Sequence, residues 1–534
     1  MSDPSDPAPV PSGPPAALSQ SATPGLCPGL LGEGSNPTND SNPSESHSPV
    51  SIRRVYFLLD LPSELISTIL SHLSPFELIS ASETCHELRE HALSDVLWHP
   101  LVQENVPDVT ITSPHPCNSY HELYVAHDRL WFLPRHRIWF CDRDLTGRVM
   151  LVRYDPRRGC IEGHQLLAAR GRPDYFQWDA HANVVIHDFN PQVKLHLDKP
   201  VLQFHANVET DVSRFFSRPD ANRYADEMPM TLEDRVDGMF SNFMLARELE
   251  KDVADEMLSQ SWPYGQVWPT PVIPSDHHVR GKPSFVFTGL PYSLPDDRPK
   301  RRGEVSEHLF HIRQWMEMAG GVTRLGRAAG LAGIVNVLRE LHPAAVGGLP
   351  GMHVGEELIT YSTLDPKLYT PTPLKPWRGI FVGDYSTHGC EFLLVHQPDD
   401  DDDDLLTDGA LGIVRFEIES DQEWEKRKAV ARTHRGRLEA IKLTGDPNVP
   451  RGEPSFIAKD LGPGGFICDA TDPQFNGSRI VASKGHISNT GFTTSKYVDS
   501  QLILISHDRL AQYWIDFGHV SCFRRVDIDQ FFRM

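Results

Sequence analysis

Apolar and polar positions first form a clear pattern between residues 61 and 73, and this pattern predicts a helix. In the stretch LPSELISTILSHL, one wide face of that helix would carry Leu65, Ile66, Ile69, Leu70 and Leu73. A second helix is predicted to begin at Ser74, because the sequence SPFE is a capping box with proline at the first helical position. A third helical piece around Cys85 follows, and Trp98 closes this helical module.

From about Leu130 the pattern changes to the alternation of strands. The stretch VMLVRYDPRRGCIEG predicts two strands around a turn at Asp155-Pro156. Alternating residues in VKLHLD (193–198) and GIVRFEIES (412–420) predict two more strands. Strands are also predicted from Gly379 onward, and SQLILISHDRLAQYWIDFGHV predicts a hairpin that turns near His507-Asp508.

A helical interval is expected to interrupt the strands. Helical spacing of Leu232, Val236, Met239, Phe240 and Phe243 predicts a helix within 231–260 whose apolar face belongs to a core. A proline-rich stretch covers 262–299, and a second helix is predicted at about 305–318.

These patterns predict an α+β protein with five regions. Residues 1–52 are rich in Pro, Ser, Gly and Asn and are expected to be disordered. The helical module takes 57–105. A first part of a large β domain takes 106–220, a helical and proline-rich insertion takes 221–345, and the second part of the β domain takes 346–534. Within that last part, 397–409 forms an acidic loop with six aspartates from Asp399 to Asp404, which is expected to be a solvated loop; a docking site for a basic partner is the alternative.

Composition narrows the classes of function. The net charge of −21 argues against non-specific nucleic-acid binding, which needs a surplus of Lys and Arg. Eight cysteines stand singly with no C-x-x-C pair, which favours a reducing compartment and no structural zinc site. The sequence shows no basic leader and no long apolar run, so we expect an intracellular protein, cytoplasmic or nuclear, with no membrane partner.

The helical module has more large apolar side chains than its own core can hide. It contains only about 40 residues, near the lower limit for a domain with an independent core. Because burying one Leu or Ile is worth ~1.5–3 kcal/mol, the rest of the chain or another protein should cover this module.

The segment LPSELISTILSHLSPFELISASETCHELREHALSDVLWHPL resembles the F-box, with Leu-Pro, paired apolar residues, Leu-Ser-Pro, Leu-Ile, a central Cys and Leu-Trp. The resemblance implies docking on the Skp adaptor and, through it, on the cullin and RING subunits of a ubiquitin ligase. The implied contact residues are Leu61, Pro62, Leu65, Ile66, Ile69, Leu70, Leu73, Leu78, Ile79 and Trp98. An ordinary helical hairpin packed on its own chain is the alternative.

Three later segments resemble the substrate-binding domain of the F-box only protein 31 family and its fungal relatives. They are GIFVGDYSTHGCEFLLV, AIKLTGDPNVPRGEPSF and GHISNTGFTTSKYVDSQLILISHDRLAQYWIDFGHVSCFRRV. The resemblance implies a β-barrel-like domain with an open cavity for the C-terminal tail of a substrate protein, with cyclin-type cell-cycle regulators as candidates.

A buried chain terminus needs hydrogen-bond partners, since each uncompensated polar group costs ~1–3 kcal/mol. Polar and aromatic side chains beside glycine-containing turns are therefore the candidate substrate-binding residues. They are Asp446, Thr444 and Asn448, then Tyr385, His388 and Phe492. The alternative for Asp446 is that it only caps its own turn.

We therefore predict a non-catalytic substrate receptor of a Skp–cullin–F-box ubiquitin ligase, without cofactor or metal. Ser506, His507 and Asp508 are adjacent in one turn and cannot aim at one reacting atom, and Asp276-His277-His278 lacks a fourth metal ligand. An F-box adaptor that acts with Skp outside the ligase is the main alternative, and an enzyme built on the β domain is the third reading.

Overall fold

The computed structural model describes residues 58–141, 146–170, 174–179, 181–188, 190–206, 227–230, 239–245, 309–316, 356–385, 388–399, 411–490 and 493–533. The expected disordered tail, Asp276-His277-His278, most of the 221–345 interval and the aspartates from Asp400 to Asp404 lie outside the described residues.

Four helices form the predicted module, and two more follow it. They are α1 (Ser63–Leu70), α2 (Pro75–Ser82), α3 (His86–Ala92), α4 (Asp95–Glu104), α5 (Tyr120–Ala126) and α6 (Phe132–His136). The predicted capping box of α2 is confirmed: Ser74 Oγ accepts a hydrogen bond from the Glu77 amide, and Glu77 accepts one from the Ser74 amide. Two further helices, α7 (Pro366–Tyr369) and α8 (Asp421–Thr433), and 3₁₀ turns at Leu58–Asp60, Ile515–Phe517 and Ile528–Phe531 complete the helical elements described.

The strands fall into two sheets. In chain order they are β1 (Ile138–Cys141), β2 (Val149–Asp155), β3 (Cys160–Ala169), β4 (Asp174–Trp178), β5 (His181–Asp188), β6 (Gln192–Leu195), β7 (Leu202–His205), β8 (Glu227–Pro229), β9 (Met239–Leu245), β10 (Leu309–Met316), β11 (Glu356–Thr363), β12 (Gly379–Asp384), β13 (Cys390–His396), β14 (Leu438–Lys442), β15 (Pro454–Ala458), β16 (Phe466–Asp469), β17 (Arg479–Asn489), β18 (Thr493–Ser506), β19 (Arg509–Trp514) and β20 (His519–Arg525). The predicted turns at Asp155 and at His507-Asp508 are confirmed.

The C-terminal sheet closes into an antiparallel eight-stranded barrel. Its order is β12-β13-β14-β15-β17-β18-β19-β20, and β20 pairs back onto β12. β5 adds to β20 in parallel and carries β4, while β16 adds to β17. The first part of the predicted β domain therefore supplies two strands to the outside of the barrel.

The other sheet lies between the helices and the barrel. Its order is β6-β3-β2-β1-β11-β10-β9-β8, with β7 on β3. Both faces are buried: Trp139 and Val152 pack in one apolar cluster with the helices, whereas Phe140 and Leu151 pack in another with Ile380 of the barrel. This alternation on β1 and β2 makes the sheet the middle layer of the molecule.

The predicted helical interval is wrong where the structure describes it. Met239, Phe240 and Phe243 lie on β9, and the predicted helix at 305–318 is β10, which pairs with β9 and β11. Phe243, Phe310 and Ile312 are buried in the cluster beneath the helices. Because short apolar runs fit a helix as well as a strand, the pairing of β9 with β10 and of β10 with β11 decides between the two.

Two shorter predictions also differ from the structure. Residues 412–420 form no strand, and Val414, Phe416 and Ile418 are exposed by 79%, 61% and 98%. The helix α8 that follows was not predicted, although Ser420 and Glu423 form a capping box at its start. In VKLHLD the strand ends at Leu195, because Leu197 finds no apolar partner and is exposed.

Candidate functional site

The two sides of α1 have different surroundings. Ile66 and Leu70 are 2% and 3% exposed and belong to the same apolar cluster as Trp131 and Trp139, so this side is part of the core of the chain itself. Leu65 and Ile69 are 50% and 44% exposed on the other side. The predicted apolar stripe is therefore divided between an internal contact and the solvent.

Four of the predicted adaptor contacts lie inside the core. Ile66, Leu70, Leu78 and Trp98 are buried in the core, and the Trp98 indole donates a 2.7 Å hydrogen bond to the Ala92 carbonyl. Their side chains are covered by the chain and are not available to a docked partner.

The remaining candidates are accessible to different degrees. Pro62 is exposed, and Leu61, Leu73 and Ile79 are half-buried against the core. Phe76, at the start of α2, is 81% exposed. We call Leu65, Ile69 and Phe76 the exposed F-box face, since these large apolar side chains have the greatest solvent exposure on α1 and α2.

One end of the barrel contains a cavity of about 770 Å³, the size of a ligand pocket. Its polar lining includes Tyr385, Lys442, Asp446, Ser455, His486 and His519. Its apolar lining includes Val449, Ile487, Trp514 and Phe517. All of these lie at or near the β12–β13, β14–β15, β17–β18 and β19–β20 connections, which antiparallel pairing brings to the same end of the barrel.

The cavity does not continue through the barrel. Phe381, Phe456 and Phe523 fill the interior with Leu393 and Val481. The Tyr385 ring lies 5.9 Å from the Phe523 ring and joins the cavity to this core. A polypeptide that enters the cavity therefore cannot continue through the barrel.

Beside the cavity, Lys442 lies between two carboxyl groups. Its Nζ is 2.6 Å from Glu391 and 2.5 Å from Asp446, and it lies 4.5 Å from the centre of the Tyr385 ring. Lys442 and Glu391 are almost completely buried, and Asp446 is 6% exposed.

One lysine cannot neutralise two buried carboxylates, and the pKa values of Glu391 and Asp446 are therefore shifted in opposite directions. Burial raises the pKa of Glu391 to about 8, with Asp446 adding to the rise and Lys442 only partly opposing it. Burial would also raise the pKa of Asp446, but Lys442 and hydrogen bonds outweigh it and lower that pKa to about 2. At neutral pH the cluster thus holds a neutral Glu391, an ionised Asp446 and a charged Lys442, which leaves no net charge.

The carboxylate of Asp446 is committed to its own turn. Oδ1 accepts hydrogen bonds from the amides of Asn448 at 2.6 Å and Val449 at 2.7 Å, and Oδ2 binds Lys442. Gly445 is required before it, because a Cβ at that position would lie 2.4 Å from the backbone nitrogen of Arg451. The contacts therefore favour the alternative that Asp446 caps its turn and shapes the cavity wall.

The other predicted substrate-binding residues occupy three kinds of position. Tyr385, His388 and Asn448 line the cavity, with the Tyr385 hydroxyl 2.6 Å from Ser455 Oγ and Asn448 Nδ2 3.4 Å from His388 Nε2. Thr444 is not among the lining residues; its hydroxyl accepts a 2.9 Å hydrogen bond from the Phe392 amide and ties the turn to β13. Phe492 lies outside the described residues.

Sequence analysis did not identify several of the residues that line the cavity, although the sequence pattern around one of them, Lys442, indicated a buried position. Lys442 continues the apolar face of β14 that contains Leu438 and Ala440, both completely buried inside the barrel. A lysine in that register predicts a buried charge with partners. His486, whose Nδ1 is 3.0 Å from the Pro454 carbonyl, gave no comparable signal, because its partner is on a different strand.

Membrane-spanning helices and metal sites were the two other features to consider in the described residues. No helix within them is long and apolar enough to cross a membrane. No group of three or more His, Cys, Asp or Glu side chains in these ranges is arranged to hold a metal ion.

Comparison with known proteins assigns families to two parts of the chain. Residues 58–104 match the F-box-like family model, and residues 361–530 match the Cyclin D1 binding domain model. A curated relative, the protein EXECUTER 2, chloroplastic, from Arabidopsis thaliana, is 24% identical over 183 residues, which cover 34% of this chain. The chain spans about a quarter (25%) of the length of that relative.

The first match covers α1 to α4 and carries functional implications. An F-box-like domain implies binding to the Skp adaptor and suggests substrate recognition in a Skp–cullin–F-box ligase, and F-box proteins are in general non-catalytic adaptors. The four helices and their exposed apolar face are thus the part of the chain that is similar to an F-box-like domain.

Proposed function

We propose that this protein is the substrate-recognition subunit of a Skp–cullin–F-box ubiquitin ligase, with a barrel that receives the C-terminal tail of a cyclin-type substrate. Such a subunit makes and breaks no bonds itself. It raises the effective concentration of a substrate lysine near the loaded ubiquitin carrier. The observation that carries the proposal is an F-box-like domain with an exposed apolar face on a chain that also contains a barrel cavity.

The exposed F-box face supports the adaptor part of this proposal. Full burial of an exposed Leu, Ile or Phe side chain is worth ~1.5–3 kcal/mol, so Phe76 would gain most of this and the half-exposed Leu65 and Ile69 about half of it each. The buried side of α1 supports it in another way, because burial of Ile66 and Leu70 in the apolar cluster fixes the orientation of the exposed side.

The double variant Leu65→Asp/Ile69→Asp tests the adaptor surface. We expect it to lose co-purification with the Skp adaptor, because two carboxylates would have to be desolvated at the interface. Val125→Asp is the matched control: Val125 is 53% exposed on α5, outside the F-box-like match, and its variant should retain the adaptor. Wild-type recovery of the adaptor by the double variant would show that another surface binds it.

The same purification separates the ligase from the main alternative. A ligase subunit should bring down the cullin with the Skp adaptor. Recovery of the adaptor without cullin, under conditions that preserve known cullin complexes, would favour an F-box protein that acts outside the ligase.

The closed floor of the cavity supports recognition of a chain end. A segment that passed through the barrel would need two openings, whereas Phe381 and Phe523 fill the barrel interior below the cavity. The match to the Cyclin D1 binding domain spans the whole barrel, which supports a cyclin-type substrate. We propose Tyr385, His388 and Asn448 as lining contacts, and Asp446 as a positioning residue.

Plugging the cavity tests this part. Ser488 is half-buried in the lining on β17, so Ser488→Trp should fill the space and weaken binding of a fluorescein-labelled peptide from the C-terminus of cyclin D1 by at least about tenfold. Lys484→Trp, on an exposed position of the same strand, should bind normally. A peptide extended beyond its natural end should also bind weakly. Equal binding by wild type and Ser488→Trp would exclude this cavity as the site.

A further inference from the structure

A second cavity lies outside the barrel, between α8 and the barrel wall. Its volume is about 480 Å³, and its apolar lining includes Leu411, Ile413, Val430 and Phe466. Trp424 is the buried residue that α8 contributes to the core, so much of the helix stands away from the wall. The space beside α8 is a groove that can receive side chains.

Apolar exposure continues from the groove onto the neighbouring segment. Val414, Phe416 and Ile418 are more than half exposed, and Val430 is 55% exposed on the helix itself. Phe416 is linked to the groove because the Arg427 guanidinium lies 4.4 Å from the centre of its ring. Clustered apolar exposure of this kind marks an interaction surface more often than isolated exposed residues do.

The charged groups that line the groove all have the same sign. Lys426, Arg427 and Arg479 line it, and its lining contains no carboxylate. The chain as a whole has a net charge of −21, so this is a local reversal of sign. The groove therefore favours an anionic ligand.

The three cations differ in how far they are already neutralised. Arg427 binds Glu419 at 2.7 Å, whereas Lys426 makes no ion pair among those described. Arg479 donates to the Leu461 carbonyl, and its guanidinium lies over the Phe466 ring at 4.2 Å. Burial lowers the pKa of Arg479 although Asp469 and Asp460 oppose this, so an additional carboxylate would stabilise its charged form.

We propose that this groove is a docking site for an acidic, amphipathic peptide segment of a partner protein. Its carboxylates would pair with Lys426 and Arg479, and its aliphatic or aromatic side chains would pack between Val430 and Phe466. The groove opens beside α8 rather than into the barrel, so the segment needs no free C-terminus. The site is thus independent of the proposed recognition of a chain end.

The test uses a ligand without a chain terminus, so the barrel cavity cannot bind it as a chain end. The probe is a fluorescein-labelled, head-to-tail cyclised peptide in which glutamates alternate with leucines and phenylalanines. We expect the full-length protein to bind it, with affinity that falls as ionic strength rises. The same ring with lysines in place of glutamates should bind at least about tenfold more weakly.

A charge reversal in the groove has a matched control on the same helix. Lys426→Glu should weaken binding about tenfold or more, whereas Arg432→Glu, an exposed position on α8 outside the lining, should change it less than about threefold. Both variants change a surface residue, so circular dichroism should show the same fold for each.

Two results would overturn the proposal. One is equal binding of the acidic and basic rings, or equal binding by wild type and Lys426→Glu. The other is at least about tenfold tighter binding after Asp400 to Asp404 are replaced by serine, which would identify the chain's own acidic segment as the occupant.

Discussion

At the scale of the residue, the Lys442 cluster shows how a charge is kept inside the barrel. Asp446 supplies the counter-charge, and its Oδ1 accepts hydrogen bonds from two backbone amides. Glu391 remains neutral because a second buried negative charge would have no partner. Removing one member of such a cluster leaves an uncompensated buried group. The loss of folding free energy is then much larger than the net stabilisation that the intact pair provides.

Glu391 gives a pH prediction whose sign follows from its pKa. A carboxyl whose pKa is about 8 when folded, against 4.5 as the ordinary value, holds its proton more tightly in the folded protein. Its stabilising contribution is therefore present below about pH 4.5 and is lost as the pH rises through about 8. In this window the unfolding free energy should fall by up to about 1.4 kcal/mol per pH unit from this group.

The variant Glu391→Gln should remove that dependence, because glutamine resembles the protonated acid and does not titrate. Urea unfolding at pH 6 and pH 8.5 measures the effect: wild type should lose more stability than the variant between the two values. Parallel losses in both proteins would show that Glu391 is ionised in the folded state.

At the scale of the element, local sequence determines where helices begin, whereas tertiary contacts determine which apolar patterns become strands. The α2 and α8 capping boxes are complete in the structure as their sequences require. Residues 412–420 alternate as well as β14 does, yet they pair with no described strand and remain exposed. Alternation therefore needs a neighbouring strand before it becomes a sheet.

Ser74→Ala tests the contribution of one cap. Loss of the side-chain acceptor for the Glu77 amide should destabilise α2 by about 1 kcal/mol. Thermal unfolding followed by circular dichroism should show a lower midpoint, whereas Ser63→Ala, at a position that accepts no cap hydrogen bond, should change little. A midpoint unchanged by Ser74→Ala would mean that packing alone holds this helix.

At the scale of the whole molecule, the F-box helices are part of the main core. Ile66, Leu70 and Trp98 share one apolar cluster with Trp139 and Tyr361 of the middle sheet. The other face of that sheet packs on the barrel. A partner held by the exposed F-box face and a substrate in the barrel would therefore be joined through continuous packing, with no free linker among the described residues from 58 to 141.

Deleting residues 58–104 should consequently uncover the side of α5 that packs on α4. We expect a chain that begins at residue 106 to aggregate, because Tyr124 and Tyr120 would lose their ring contacts with Trp98 and His99. A chain that begins at residue 58 should remain soluble and melt like the full-length protein, as measured by size-exclusion chromatography and thermal unfolding. A monomeric, cooperative 106–534 fragment would contradict the shared core.

The sequence by itself determined the F-box helices, their caps, the β-hairpins and the predominance of β-structure after the helical module, because these depend on neighbours within a few residues. Only the tertiary structure decided that 239–245 and 309–316 are strands, since these segments pair with each other and 309–316 pairs in turn with β11. It also decided that Ile66 and Leu70 face inward while Leu65 and Ile69 face the solvent. Likewise, the tertiary structure decided that the Asp446 carboxylate binds Lys442 and the amides of its own turn. Burial and strand pairing depend on residues that are distant in the sequence, and no local pattern specifies them.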